Sequence, residues 1–218
     1  MTDKQDIRSA MYQDAYYKGF QEEPRFEKVR QVLASFHAEK VLDVGCGDGD
    51  VSVMIQNVLR AREIHGLEIS ASAVERACKK GIIAKVCDVE NEKFPYPDGY
   101  FDLVYLGEII EHVFDPEHLL EESHRVLCMG GKCIITTPNL AGWPNRVALL
   151  LGYQPYPMAA SPRHESVGKL LIHEPQGQWG HIRVLTLGSL LRLVSLHCLT
   201  PEKSLRMSGH GQGNISDI

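Results

Sequence analysis

The run Val41-Leu42-Asp43-Val44-Gly45-Cys46-Gly47-Asp48-Gly49-Asp50 constrains this chain more than any other stretch. A short apolar segment ends in glycines at alternate positions. Val51, Met54, Ile55 and Val58 then recur at helical spacing, which predicts a strand, a tight turn and a helix in that order. Glycine at such a turn lets the backbone bend sharply and lets a ligand approach bare main chain, with the amides of the following helix pointing into the gap. The dinucleotide pattern G-x-G-x-x-G fails, because Asp50 stands where its third glycine would be. Asp43, Asp48 and Asp50 also place carboxylates where a pyrophosphate would sit, which argues against a phosphate ligand and against an NAD-dependent oxidoreductase.

An adenosyl ligand with a positive centre and no phosphate would tolerate this loop. The order D-x-G-x-G-x-G after a strand resembles the first motif of the class I S-adenosylmethionine-dependent methyltransferases, of the kind that act on small molecules. Later segments extend the resemblance. Glu68 closes a second apolar stretch, Ile64 to Leu67, and Asp88 closes a third, Ile82 to Cys87. Phe101 to Tyr105 forms a fourth, followed by Leu106-Gly107-Glu108, and Gly130-Gly131 introduces a fifth, Cys133 to Thr137. The similar region runs from Val41 to Asn139.

The resemblance implies a doubly wound α/β fold, a mostly parallel sheet with helices on both faces, and S-adenosyl-L-methionine as cofactor. It also implies a site: Gly45, Gly47 and Gly49 at the methionine part, Glu68 on the ribose hydroxyls, Asp88 at the adenine amino group and the Val89 amide beside the ring. Asp43, Cys46, Ile69, Leu106 and Gly107 complete that set. On this reading the chain is one methyltransferase domain over residues 1–218. Residues 1–40 are an N-terminal helical cap, 41–138 the cofactor-binding core, 139–180 a substrate cap, and 181–218 a helix, strand and tail.

Composition narrows the partners. A length of 218 residues with 44% apolar and 23% charged residues suits a globular domain with a sizeable core. The formal net charge of −5 gives no footprint for a nucleic-acid backbone or an anionic membrane. The polar start, Met1 to Asp6, has no apolar leader, and no apolar run has the length of a membrane span, so a cytoplasmic protein is expected. The six cysteines include no C-x-x-C pair, so free and mostly buried thiols are expected rather than a zinc site or a disulfide framework.

Before the glycine loop, Tyr12, Tyr16 and Tyr17 share a helical face with Met11 nearby. In similar enzymes a leading segment closes over the cofactor; an aromatic stripe docked on the core explains the pattern equally well. Phe26, Val29, Leu33 and Phe36 recur at helical period after Pro24, predicting a helix on one face of the sheet. Ser72 and Glu75 read as a capping box for a helix that buries Val74, Ala77 and Cys78 and ends at Gly81. Pro116 to Leu127 is predicted as a helix with Leu119, Leu120, Val126 and Leu127 inward, stopping at Gly130.

From Leu140 to Gly180 the pattern loosens, with one helix expected over Asn145 to Leu151, and a connection of this length reads as a functional cap. Thr186 is the expected N-cap of a helix over Leu187 to Leu196, and Leu199 to Met207 the expected sixth strand. The relatives' last antiparallel strand is not evident. Either it is missing or Asn214 to Ile218 is a stub of it, which leaves the sheet edge, and with it a homodimer, open.

The densest chemistry is Glu108-Ile109-Ile110-Glu111-His112, directly after the fourth strand. If helical, it would put Glu108, Glu111 and His112 on one face. Three readings stay open here: His112 as general base or positioner of the acceptor, the glutamates as hydrogen-bonding groups only, or a metal site completed by His181. The last arrangement resembles the small-RNA 2′-O-methyltransferases. His181 and Arg183 form an H-x-R pair that either contacts the acceptor or pins the cap to the sheet, while His118 and His124 are expected to be solvated or locally satisfied.

The reading adopted is methylation of a small-molecule acceptor, at oxygen, in quinone, sugar or secondary-metabolite chemistry. His112, Glu108 and His181 are its catalytic candidates, with no metal assigned. The alternatives are a metal-dependent RNA 2′-O-methyltransferase and a non-catalytic cofactor-binding protein.

Overall fold

A computed structural model describes residues 24–161, 164, 166–170, 181–206 and 213–217. The expectations for Met11 and the leading tyrosines, and the part of the expected cap over residues 171–180, lie outside these residues. The chain opens with helix α1 (Pro24–Leu33). Strand β1 (Lys40–Val44), α2 (Asp50–Leu59), β2 (Glu63–Glu68), α3 (Ala71–Lys79), β3 (Ile83–Val86) and β4 (Phe101–Gly107) then alternate. They are followed by α4 (Pro116–Val126), β5 (Leu127–Pro138), α5 (Trp143–Leu150), α6 (Leu187–Leu196), β6 (Lys203–Arg206) and β7 (Gly213–Asp217). The seven strands form one sheet in the order β3-β2-β1-β4-β5-β7-β6. The first five run parallel, and β7 is antiparallel to both β5 and β6. This is the doubly wound architecture.

Alternate strand residues feed two cores, which is why the central strands read as near-continuous apolar runs. Val41, Ile64, Leu103, Tyr105 and Ile134 pack with Val29 and Leu33 of α1, Met54 and Ile55 of α2 and Ala77 of α3. Leu42, Val44, Val104, Leu106 and Ile135 point the other way, against Leu119 and Leu120 of α4 and Leu190 and Val194 of α6. Burying a side chain such as Leu42 or Leu103 contributes roughly 2 kcal/mol, so deletions here act on stability before they act on any site.

Several boundaries differ from the sequence reading for local reasons. The N-cap of α3 is Ser70, whose hydroxyl accepts from the Ala73 amide, not Ser72, and Cys78 is exposed rather than part of the buried stripe. Only Cys46, Cys87 and Cys133 of the six thiols are buried. The fifth strand starts at Leu127, ahead of the glycines. Phe101 pairs with Leu127 and Leu103 with Lys132, so extra residues bulge out around Gly130 (φ 77°). Thr186 caps α6 as expected, accepting from Ser189 N at 3.1 Å.

The doubt about the last strand is resolved by β7. It inserts between β5 and β6, pairing Ile134 with Asp217 through to Pro138 with Gly213. Its five residues, Gly-Asn-Ile-Ser-Asp, carry one strong strand former, so the pairing rests on ladders to both neighbours and leaves no hydrophobic signature. The sixth strand is shorter than expected, Lys203–Arg206.

Candidate functional site

The strand order reverses at β1, between β2 and β4, and the carboxyl ends there form the crevice where open α/β sheets bind ligands. The loop from β1 to α2 makes its floor. Gly45, Gly47 and Gly49 sit at φ 75°, 54° and 84°, a left-handed region that costs other residues about 1–2 kcal/mol each. The loop closes on itself and on β2: Gly45 N and Cys46 N both donate to Leu67 O, and Gly49 N donates to Cys46 O. Space is as restrictive as conformation, since a Cβ on Gly45 would meet Ile109 Cδ1 at 2.9 Å. The loop after β1 therefore touches the loop after β4.

Glu68, the last residue of β2, faces this floor. Its Oε2 accepts from Gly47 N at 3.1 Å and its Oε1 from Ser70 N at 2.9 Å. Each oxygen keeps a lone pair for a further donor. Burial pushes the carboxyl pKa up, with the backbone N–H bonds opposing. Asp88, expected at the adenine amino group, also holds its own turn. Its Oδ1 accepts from Glu90 N and its Oδ2 from Asn91 Nδ2, so it first closes its own turn, with Val89 buried beside it. Leu106 is fully buried, and Gly107 is compulsory because a Cβ would fall 2.3 Å from the Tyr105 ring.

The acidic character of the loop needs revision. Asp43 lies beneath it, 2% exposed, accepting from Ser52 Oγ at 2.6 Å, and burial raises its pKa to about 7. It ties β1 to α2. Asp48 and Asp50 share the Lys80 ammonium at 3.0 and 2.5 Å. The carboxylate that argues against a phosphate is therefore Glu68, with its oxygen on the Gly47 amide. Ser52, Lys80 and Gly66, where a Cβ would meet Cys46 Sγ at 2.5 Å, are structural parts of the cradle that sequence reasoning did not single out. The unbroken burial of β2 gives Gly66 away only once its neighbour Cys46 is placed.

The opposite wall is the turn after β4. It is not helical: Glu108 has φ 53°, and His112 N closes a turn onto Ile109 O. Glu108 Oε2 pairs with Arg25 of α1 at 3.2 Å, and its amide donates to Thr136 O. Glu111 goes inward and is fully buried, with Oε2 accepting from Thr137 Oγ1 at 3.0 Å. Burial first, and the charge of Glu108 second, push its carboxyl well above the usual range.

His181 joins this wall from the far end of the cap. Its Nδ1 is 2.7 Å from Pro157 O, its Nε2 is 3.9 Å from Glu111 Oε1, and its ring meets that of His112 edge to face at 4.7 Å. Ile182 N and Arg183 N donate to Glu111 O, and Arg183 Nη2 donates to Phe114 O. The H-x-R pair thus ties the turn to the chain around Pro157. The structure gathers Glu111, His112 and His181, whose ligand atoms lie within 4.8 Å of one another, while Glu108 is held apart by Arg25. His118 is satisfied by Glu92 O and His124 is exposed.

A family model described as methionine biosynthesis protein MetW matches residues 24–161, well over half the chain. The chain belongs to the MetW family. Among curated proteins it is similar to the ubiquinone/menaquinone biosynthesis C-methyltransferase UbiE of Desulfotalea psychrophila, with 34% identity over 107 residues, 46% of this chain and 43% of that protein. It is also similar to the 27-O-demethylrifamycin SV methyltransferase of Amycolatopsis mediterranei, with 32% identity over 114 residues, 48% and 42% of the two chains. The match thus spans less than half the length of these relatives.

Among solved structures, an S-adenosylmethionine-dependent methyltransferase from Mesorhizobium loti superposes with a TM-score of 0.66 at 18% identity, covering 91% of this chain and 99% of that one. The PH0226 protein of Pyrococcus horikoshii gives 0.64 at 19%, over 94% and 92%. These likenesses establish the Rossmann-like methyltransferase fold for the MetW-family chain. Among the described residues no helix is long and apolar enough to cross a membrane.

Proposed function

We propose that this chain is a methyltransferase that binds S-adenosyl-L-methionine in the β1/β4 crevice and methylates a small-molecule acceptor, at oxygen. The observation that carries the reading is the cradle. Three glycines with left-handed backbone leave no side chain over the floor, and Glu68 stands beside them with lone pairs to spare for two ribose hydroxyls. Asp88 and Val89 would border the adenine, while Ile69, Leu106 and Gly107 would line the walls. Asp43 and Cys46 act from beneath, as buried supports. The cofactor, when bound, supplies an activated methyl group on a sulfonium.

Methyl transfer needs the acceptor held in line behind that methyl, so the protein's work is mostly positioning. The wall of Glu108 and His112 on the adjoining loop, with His181 beside it, is the acceptor side of the site. In the ion-free chain His112 takes the proton of an acceptor hydroxyl, the role that suits an imidazole near neutral pH. His181, held by Pro157, orients the acceptor, and Glu108 with Arg25 fixes the start of the turn. Residues 139–180 supply the acceptor's surroundings. Trp143, Val147 and Leu150 of α5 are exposed apolar groups suited to an apolar acceptor such as a quinone-type ring.

The relatives named above act on small molecules by their names, one at carbon and one at oxygen, and the Glu111–His112–His181 wall favours oxygen because it can receive a proton. The test is transfer of a labelled methyl group from S-adenosylmethionine to a panel of phenolic, quinol and sugar acceptors. O-methyl products are expected; C-methyl products alone would overturn the assignment of the accepting atom, and no product with any acceptor would favour a non-catalytic binding protein.

A further inference from the structure

We infer that Glu111, His112 and His181 form a binding site for one divalent transition-metal ion of the zinc type. Their ligand atoms already lie within 4.8 Å of one another, a spacing that small side-chain adjustments bring to a common ion. The decisive detail is an oxygen. Glu111 is fully buried, its Oε2 is satisfied by Thr137, and its Oε1 has no hydrogen-bond partner among the described residues. A buried carboxylate oxygen left this way is costly unless a cation or proton meets it.

What meets it is determined by His181. A carbonyl oxygen only accepts, so the 2.7 Å contact with Pro157 O places a hydrogen on Nδ1. In the neutral ring Nε2 then presents a lone pair to Glu111 Oε1, 3.9 Å away. With Glu111 ionised, two acceptors face each other across a gap too long for a direct hydrogen bond. A third atom between them removes the conflict. An imidazole that gives its other N–H to a backbone carbonyl is also the usual arrangement around ligating histidines, because it fixes the ring and strengthens the lone pair. The His112 ring, edge to face with His181, brings a second imidazole to the same point.

One carboxylate and two imidazoles suit zinc, cobalt or manganese better than magnesium, which prefers oxygen ligands throughout. The trio supplies three protein ligands, so a tetrahedral ion held there would keep a fourth position for water or an acceptor. The ion's use in catalysis rests on the reading of this wall as the acceptor side; the ion site itself rests on the trio alone. With the ion in place an acceptor hydroxyl at an open position loses its proton more readily, and His112 serves as ligand instead of base.

The experiment is calorimetric titration of the chelator-stripped full chain with zinc, repeated with cobalt followed by its visible absorption. The expected result is one equivalent bound, reversed by chelator, and weakened at least about 100-fold in both Glu111→Gln and His181→Gln, as loss of a ligand demands. Unfolding curves and S-adenosylhomocysteine binding of both variants, recorded alongside, show that they are folded. Absence of saturable binding, or binding that survives both substitutions because exposed Cys78 or Cys198 hold the metal, overturns the site and leaves a shared proton between His181 and Glu111. Zinc binding without any S-adenosylhomocysteine binding in the unsubstituted chain would refute the methyltransferase reading and leave the ion site standing.

Discussion

Replacing Asp43 by asparagine removes a carboxyl buried directly under the glycine loop. Its folded pKa of about 7 stands against an ordinary value of 3.8, and burial is the main cause, opposed by the Ser52 hydrogen bond and reinforced by the charge of Glu68. The folded chain thus holds this proton more tightly than the unfolded chain does. The stability it contributes is complete below about pH 4 and is lost as pH rises through about 7, in total about 4 kcal/mol. Asparagine keeps an acceptor for Ser52 Oγ but does not titrate. Its amide N–H₂ must be buried, which offsets part of the gain, so the useful readout is the change with pH and not the stability at one pH.

Denaturant unfolding of both proteins at about pH 5 and about pH 8.5 should show Asp43→Asn gaining about 3 kcal/mol on the wild type between the two, because the other titrating groups are common to both and cancel. Parallel pH profiles would refute the reasoning. They would mean that Asp43 is ionised in the folded chain, held there by a donor or cation in addition to Ser52.

Other substitutions separate cradle, wall and scaffold. Gly47→Val should abolish S-adenosylmethionine binding in a calorimetric titration, because residue 47 sits at φ 54°, where a β-branched residue is strained, and a side chain there would fill the ligand's space. His112→Ala should leave cofactor binding within about twofold and lower turnover by about 100-fold or more, read from single-turnover methyl transfer; equal loss of binding would remove its catalytic role. Ser70→Ala should cost about 1 kcal/mol in thermal or denaturant unfolding through the lost cap of α3, with the larger part of its effect on stability and little on turnover.

The glycine loop was legible because its conformation admits little else: three alternating glycines after an apolar strand have three positive φ values to satisfy. The place of Glu68 at the end of β2 was legible as well, but its bond to the Gly47 amide was not. The wall was harder. Glu108 and Glu111 look equivalent in the sequence, yet one pairs with Arg25 at the rim and the other is fully buried against Thr137, a partner from β5 that only the tertiary fold supplies. The positive φ of Glu108 breaks the helical register that the run Glu108 to His112 suggested, and non-glycine residues give no warning of such a value.

Strand β7 stayed hidden because its stability comes from being the middle strand of two antiparallel ladders, a non-local property. Asp48 and Asp50 looked like bare charge at a ligand site because Lys80, 32 and 30 residues further along the chain and adjacent in space, cannot be matched to them before β2 and α3 are folded.

The most direct test of the central claim is calorimetric titration of the purified chain with S-adenosylmethionine and with its demethylated product, with and without chelator. The account predicts saturable binding of both at one equivalent, insensitive to chelator because none of the cradle residues Gly45, Gly47, Gly49 and Glu68 belongs to the Glu111 trio, and lost in Gly47→Val. Absence of heat with either ligand, in a chain shown to be folded, would contradict it.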